Sequence, residues 1–330
     1  MDYKDLILRE LEVLRLKEIQ DKQPFKVRAY AKVIAGIKGI PGPIHQYEDV
    51  AMLSGIGEKL QAKIKEIIET GKLASAEKVR KERNIEATNV LIDIYGVGPV
   101  KAGELLKMGI TSIAELREAV QKDPLLLNEN QVIGLKYYED LKERIPRKEM
   151  EQHESKLLEL IHQVDTRFKA TVVGSYRRGA KDSGDIDVLL SFPITVSDKE
   201  QKIHFTEVVR KLISEGYLIE RLAKGPKKFM GISRLDKKPA RRVDLLLTPA
   251  NEYAFAILYF TGSDKFNVAM RKWALTRGVS LNEHGFKVVG TDITPPPVLE
   301  TEEAIFNYLG LRYVSPPDRT GSIDKYLLSA

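Results

Sequence analysis

Two short segments about sixty residues apart constrain this 330-residue chain more than anything else in it. The first runs Gly174-Ser175-Tyr176-Arg177-Arg178-Gly179 into Ser183-Gly184-Asp185-Ile186-Asp187-Val188-Leu189-Leu190, and the second is Arg241-Arg242-Val243-Asp244-Leu245-Leu246-Leu247. Side chains on a strand alternate faces with period two, so a strand from Asp185 turns Asp185 and Asp187 one way and Ile186 and Val188 into a core. Asp244 stands alone before an apolar run that reads as a neighbouring strand. Three carboxylates converging on one sheet face repel one another by on the order of several kcal/mol unless something cancels the charge, and hard divalent cations with oxygen ligands are the natural remedy. Two such ions about 4 Å apart activate an attacking hydroxyl and steady a leaving pyrophosphate. By itself D-x-D is better explained by an ordinary acidic strand facing solvent. The upstream loop decides against that, because it sets small residues, backbone amides and two arginines just before the carboxylates, which suits a bound triphosphate.

A chain of this length can bury two or three cores. Net charge is +6 and the isoelectric point about 9.1, a modest excess that suits a polyanionic partner. No stretch approaches eighteen apolar residues and the start, Met1-Asp2-Tyr3-Lys4-Asp5, lacks a signal-peptide core, so neither a membrane partner nor secretion is expected. With no cysteine and five scattered histidines, disulfides, thiolate zinc sites and cysteine catalysis are excluded.

Residues 1–82 are helical in pattern, with Leu6, Leu8, Leu11, Leu14 and Leu16, then Val27, Ala31, Ile34 and Ile37, interrupted at Gly39-Ile40-Pro41-Gly42-Pro43. Two copies of one signature follow, Leu53-Ser54-Gly55-Ile56-Gly57-Glu58-Lys59-Leu60 and Ile94-Tyr95-Gly96-Val97-Gly98-Pro99-Val100-Lys101. Each puts a glycine hairpin before a helix, where free amides meet a phosphate without hindrance from a Cβ. A lone G-x-G is usually just a tight turn; two copies, each with a lysine following, point to DNA-backbone binding. Pro146 in Arg144-Ile145-Pro146-Arg147 marks a boundary near 148. Beyond it the pattern predicts a helix over 149–165, a strand at 170–173, the Asp185 strand, a helix over 200–215 and the Asp244 strand. A helical run from Asn251 to Phe260 then opens a small α+β unit containing Pro295-Pro296-Pro297.

The glycine-serine-arginine loop with its aspartates resembles the nucleotidyltransferase superfamily, and in detail the family X DNA polymerases of the polymerase β type. The resemblance covers essentially the whole chain. It implies a multidomain α and α+β fold: a helical lyase-like domain with the first helix-hairpin-helix (1–82), a helical DNA-binding domain with the second (83–148), a catalytic palm with a mixed sheet (149–249) and a nucleotide-selecting C-terminal subdomain (250–330). It implies a metal triad of Asp185, Asp187 and Asp244 for two Mg²⁺ ions, with Mn²⁺ able to substitute, and Asp244 as general base or proton relay for the primer 3′-hydroxyl. Triphosphate ligands fall on Arg144, Ser175, Arg178, Ser183 and Gly184; Tyr259, Phe260, Gly262, Asp264 and Asn267 face the incoming nucleotide; Arg271 faces the template. Arg242 either lies near the primer terminus or balances the carboxylates. Gly55, Gly57, Lys59, Gly96 and Gly98 meet the DNA backbone. Carbonyls of Ala51, Leu53 and Ile56, and of Ile92, Ile94 and Val97, would hold a Na⁺ or K⁺ ion.

Lys63 matches the family's Schiff-base lysine, which implies a 5′-deoxyribose-phosphate lyase. Around the family's 5′-phosphate pocket, Lys22, Gln23, Val27 and Ala51 depart from the pattern. So do Val268, where a lysine stacks on the template base, and His284, where a tyrosine follows Asn-Glu. The implied protein is a monomeric, template-directed, gap-filling DNA repair polymerase that takes dNTP and gapped or nicked double-stranded DNA. It is expected inside the cell, in the nucleus of a eukaryote and otherwise wherever the genome lies. The alternatives are a template-independent terminal transferase, opposed by the short Leu235–Arg241 hairpin, and a non-catalytic helix-hairpin-helix scaffold, which requires the three carboxylates to be coincidental.

Overall fold

Apolar residues recurring at three- and four-residue intervals make the first 138 residues helical, because each helix must bury one stripe. The computed structural model describes residues 1–289 and 297–327, so Pro295 and Pro296 of the proline triplet lie outside the described residues. The chain divides into two units, Met1–Tyr138 and Glu139–Ala330.

In the first unit, the helices Lys4–Gln20, Pro24–Lys38, Glu58–Thr70 and Ala74–Arg83 enclose Ile7, Leu11, Leu14, Val33, Ile37, Ile64, Ile67 and Leu73. Glu10 is buried beside them and accepts two hydrogen bonds of 2.9 Å from the Arg80 guanidinium, the fork geometry that lets a charge leave water. A second core of Leu91, Ile94, Ala102, Leu105, Leu116 and Leu135 joins the helices from Ile85 to Lys136. There Gly134 lies so close to the second glycine hairpin that a Cβ would stand 2.3 Å from the Tyr95 carbonyl oxygen.

Among its described residues the second unit carries nine strands: β1 (Ile145–Pro146), β2 (Lys169–Val172), β3 (Asp182–Ser183), β4 (Ile186–Ser191), β5 (Leu218–Lys224), β6 (Lys228–Ser233), β7 (Arg241–Leu247), β8 (Val279–Asn282) and β9 (Gly285–Val288). Five form a mixed sheet in the order β2-β4-β7-β6-β5, in which β4 and β7 run parallel and the other neighbours antiparallel. Period two then sorts the side chains. Ile186, Val188, Leu190, Val243, Leu245 and Leu247 enter a core with Leu157, Leu160, Phe205 and Val209 from the helices Arg147–Val164 and Asp198–Ser214. Leu189 and Leu246 turn to the other face and meet Tyr253, Ala256 and Ile257 of the helix Tyr253–Thr261. Asp187 and Asp244 share that second face, two residues before each leucine. A further core of Phe255, Leu258, Phe266, Met270, Ile305 and Phe306 organises the C-terminal part.

The expected helices and strands of the palm are present within two or three residues of their predicted bounds. Strands β5 and β6 were not anticipated. The reason is visible in β5, where register shifts between Leu218 and Glu220 and between Arg221 and Ala223 break the alternation that would have marked it.

Beneath the start of β7 lies a buried ionic cluster. The Arg241 guanidinium donates from Nε to Glu149 Oε1 (2.7 Å), from Nη2 to Glu149 Oε2 (3.2 Å) and from Nη1 to the Glu143 carbonyl (3.0 Å). His153, fully buried, pairs through Nδ1 with the Tyr217 hydroxyl at 2.8 Å. Burial, with a smaller push from Arg241, lowers the His153 pKa from its ordinary 6.5 to about 4, against the pull of Glu149. The folded protein therefore keeps His153 neutral where the unfolded chain would protonate it, so this contribution is complete above pH 6.5 and is lost as pH falls towards 4. Trp273, the one tryptophan, lies in this unit and reports its unfolding. On lowering pH from 7 to 4.5, urea unfolding followed by Trp273 fluorescence should lose about 2 kcal/mol more in the wild type than in His153→Leu. Equal losses in the two proteins would remove His153 as the cause.

Candidate active site

The parallel pairing of β4 with β7 sets Asp187 directly opposite Asp244. Burial first, and the neighbouring Asp244 carboxylate second, push the Asp187 pKa up to about 6. Burial also raises Asp244, opposed by Arg242 and Lys228. Asp244 Oδ1 is buried with no hydrogen-bond partner among the described residues. The turn above is closed by Gly174, whose φ of +62° favours glycine and where a Cβ would sit 3.0 Å from Asp187 Oδ2. Asp185 behaves differently from the expectation. Strand β4 begins only at Ile186, and the Asp185 carboxylate is ion-paired with Arg242 instead of converging with Asp187 and Asp244. Among the described residues no three acidic or imidazole groups stand together as a cation-holding cluster, and Arg242 supplies the countercharge to Asp185. The Arg242 guanidinium thus sets a positive charge against Asp185.

The Gly174–Arg177 segment forms a single helical turn. Ser175 Oγ donates to Ser183 Oγ at 3.0 Å, joining the two serines expected at a triphosphate. Arg144 donates from Nε to Asp182 Oδ1 (2.8 Å) and from Nη2 to the Asp182 carbonyl (3.1 Å), and its Nη1 lies 2.9 Å from where a Cβ on Gly184 would be. A side chain at 184 would press on the tip of that guanidinium and shift it. The consecutive arginines separate in role. Arg178 Nη1 donates to the Thr261 carbonyl at 2.6 Å, and burial depresses its pKa. Arg177 instead binds Thr261 Oγ1 (2.7 Å) and Glu302 Oε2 (2.7 Å), and Glu302 Oε1 accepts from the buried Arg319 at 2.7 Å. Sequence reasoning missed Arg177, Glu302 and Arg319. A buried salt-bridge partner 125 residues away leaves no local pattern.

The segment from Tyr259 onward is brought beside this turn by the Thr261 contacts. Asn267 Nδ2 donates to the Tyr259 carbonyl (2.8 Å), the Arg271 guanidinium lies 4.9 Å from the Tyr259 ring centre, and the Tyr259 and Phe260 rings are edge-on at 5.0 Å. Gly262 has φ +65°, and Ser263 caps the helix Asp264–Thr276. A small cleft is lined by Tyr259, Asn267, Met270, Arg271, Leu281 and Asn282. Tyr259, Asn267 and Arg271 thus meet; Asp264 sits on the same helix, and Phe260 packs at the edge of the sheet core.

In the first unit, Gly55 (φ +98°) and Gly96 (φ +82°) make the two hairpin bends, and Gly57 and Gly98 open the helices Glu58–Thr70 and Pro99–Lys107 with no side-chain cap on their amides. Ala51, Leu53 and Ile56 lie on the first bend, and Ile94 and Val97 on the second after Ile92 ends its helix; the Ile94 carbonyl already accepts the Val97 N–H at 3.0 Å. Gln131 Nε2 donates to the Gly96 carbonyl at 2.9 Å, a brace the sequence did not announce. Lys59 is exposed. Lys63, on the same helix, is half-buried and has no ion-pair partner among the described residues.

Four family models match the chain: a helix-hairpin-helix domain at residues 3–73, the fingers domain of DNA polymerase lambda at 89–142, the DNA polymerase beta palm at 144–250 and the DNA polymerase beta thumb at 256–320. The chain belongs to the family X DNA polymerases. DNA polymerase lambda of Rattus norvegicus is 30% identical over 95% of this chain and 56% of its own length, and that of Arabidopsis thaliana 28% over 91% and 58%. DNA nucleotidylexotransferase of Xenopus laevis is 26% identical over 88% and 63%. The chain therefore spans 56–63% of the length of these curated relatives. No helix among the described residues is long and apolar enough to cross a membrane.

For a family X polymerase the relevant test is whether these residues suit a divalent cation. They do. Asp187 and Asp244 are acceptor-only oxygens held side by side, one of them without a partner, and a hard cation relieves both the repulsion and the unmet acceptor. In divalent-free buffer, removing one charge should therefore stabilise the fold. Asp187→Asn should raise the urea-unfolding free energy, read by Trp273 fluorescence, by on the order of 1 kcal/mol. A variant less stable than wild type without metal would contradict the repulsion.

Proposed function

We propose that this chain is a template-directed, gap-filling DNA repair polymerase that joins a deoxynucleotide from dNTP to a primer 3′-hydroxyl and releases pyrophosphate. The observation that carries the reading is the in-register pair Asp187 and Asp244 beside a turn in which Ser175 meets Ser183 and Gly174 presents no side chain to Asp187. Asp185, Asp187 and Asp244 would hold Mg²⁺ or Mn²⁺, with Arg242 giving up Asp185 to it. When bound, the metal supplies charge neutralisation for a nucleophilic hydroxyl and for the leaving pyrophosphate. Asp244, through its unpartnered oxygen, takes the proton of the 3′-hydroxyl. Ser175, Ser183, the Gly184 amide, Arg144 and Arg178 bind the triphosphate. Tyr259, Phe260, Gly262, Asp264 and Asn267 position the nucleotide, and Arg271 meets the template.

The four segments 1–82, 83–148, 149–249 and 250–330 correspond in this reading to lyase module, second hairpin module, palm and nucleotide-selecting subdomain. The partner is gapped or nicked DNA held by its phosphates at Lys59 and at the hairpins of Gly55, Gly57, Gly96 and Gly98, with Na⁺ or K⁺ at their carbonyls. The protein acts as a monomer where the genome is. Templated rather than template-free extension is supported by the short link between β6 and β7, fastened where the Ala240 N–H donates to Asp140 Oδ2 at 2.8 Å. Primer extension on one-nucleotide-gapped DNA tests the proposal. Asp244→Ala should lower incorporation by several orders of magnitude while DNA affinity stays within about twofold; near-normal turnover would overturn the assignment.

Lyase chemistry rests on Lys63, which lacks an ion-pair partner among the described residues and so has its amine available for a Schiff base with an opened sugar. Borohydride should trap a covalent complex between the wild type and pre-incised abasic DNA. Lys63→Ala should remove most of that trapping and leave gap filling intact. Trapping undiminished in Lys63→Ala would move the nucleophile to another lysine.

A further inference from the structure

His284 stands between two carboxylates contributed by different elements. Its Nδ1 donates to Glu252 Oε2 at 2.7 Å, from the short 3₁₀ turn Ala250–Glu252, and its Nε2 is 3.9 Å from Glu283 Oε1. The second oxygen of Glu283 is 3.8 Å from Arg271 Nη2, and the Arg271 guanidinium in turn lies 4.9 Å from the centre of the Tyr259 ring. A charged row thus runs from Glu252 through His284, Glu283 and Arg271 to Tyr259, at the edge of the cleft lined by Tyr259, Asn267 and Arg271. The turn that carries it is braced, because Asn282 Oδ1 accepts the N–H groups of His284 (2.9 Å) and Gly285 (3.1 Å). Glu283 and His284 therefore cannot be repositioned independently.

We propose that His284 is a positioning residue for Arg271: by sharing Glu283 with it, the imidazole sets how tightly Arg271 is held back from a DNA template. The proposal rests on the reading of this unit as a templated polymerase. With His284 protonated, Glu283 divides its charge between an imidazolium and a guanidinium, and Arg271 is loosely held. With His284 neutral, Nε2 no longer competes and Glu283 holds Arg271 alone. The Glu252 hydrogen bond raises the His284 pKa from its ordinary 6.5, the charges of Glu252 and Glu283 add to this, and the slight burial of the ring and Lys227 from the link between β5 and β6 oppose it. The proton is therefore lost at a pH above that of a free histidine, and Arg271 is restrained as pH rises.

Two fixed states bracket the switch. His284→Gln leaves Glu283 on Arg271 at every pH, and Glu283→Gln releases Arg271 at every pH. On gapped DNA the wild-type KM for the templated nucleotide should rise about twofold to fivefold across the His284 titration, the size exposed ion pairs reach, while kcat follows the same pH profile in wild type and His284→Gln. His284→Gln should hold the high-pH value throughout, Glu283→Gln the low-pH value, and Glu252→Gln should move the inflection to lower pH. A wild-type inflection retained in His284→Gln would overturn the proposal. The DNA-free protein supplies an independent reading: the Arg271 guanidinium NMR signal should shift with the same midpoint as the His284 imidazole and should be flat in His284→Gln. If Arg271 fails to follow His284, the coupling is absent whatever the enzyme does. If it follows while no nucleotide is incorporated on any DNA, the polymerase reading fails and the coupling stands.

Discussion

Two like charges opposite one another across the parallel β4–β7 pairing are the constraint around which the second unit is arranged. A half-dry carboxylate pair is unstable without a cation, and each neighbouring feature answers to it. Gly174 removes the side chain that would crowd Asp187, Arg242 and Lys228 contribute positive potential, and the strands are held in register by leucine-rich continuations buried on both faces. Burial and like charge both work against the ionised pair, so the folded chain holds these carboxylates at a cost to its stability.

Two buried ionic clusters carry this arrangement outward. Arg241, one residue before Arg242, is clamped by Glu149 and by the Glu143 carbonyl, so the start of β7 and therefore the placement of Arg242 and Asp244 depend on the helix Arg147–Val164. On the other side Arg177 reaches Thr261 and Glu302, and Glu302 reaches Arg319, whose guanidinium is enclosed by Phe266, Phe306 and Tyr313 at 5.6–5.9 Å. Breaking one member of such a set leaves another charge buried and unpaired, which is far more destabilising than the set is stabilising. The Gly174–Arg177 turn and the helix Asp264–Thr276 are thereby tied through the same few side chains.

His284 belongs to a third, exposed set, and exposure changes its character. Its imidazole is 68% accessible, so its ion pairs are weak and adjustable where those of Arg241 and Arg319 are rigid. That contrast is what fits the exposed set for modulation and the buried sets for scaffolding.

Much of the site was legible in the chain. The alternation around Asp187 and Asp244, the glycines at 174 and 184, the paired serines and the two G-x-G bends are local patterns, because period two, φ above zero and helix entry are properties of a few consecutive residues. Strand β5 was not legible because its register shifts erase the alternation, and the Gly134 and Gln131 packing on the second hairpin was not because those contacts cross 35 or more positions. Sequence by itself determined which residue types reach each face and where the backbone must bend. Only the tertiary structure decided that Arg242 rather than a third aspartate neighbour satisfies Asp185, that Arg177 and Arg178 part company, and that Glu302 and Arg319 anchor the turn. Those choices are made by charges from distant segments competing for the same buried partners, and such a competition is settled by packing in three dimensions.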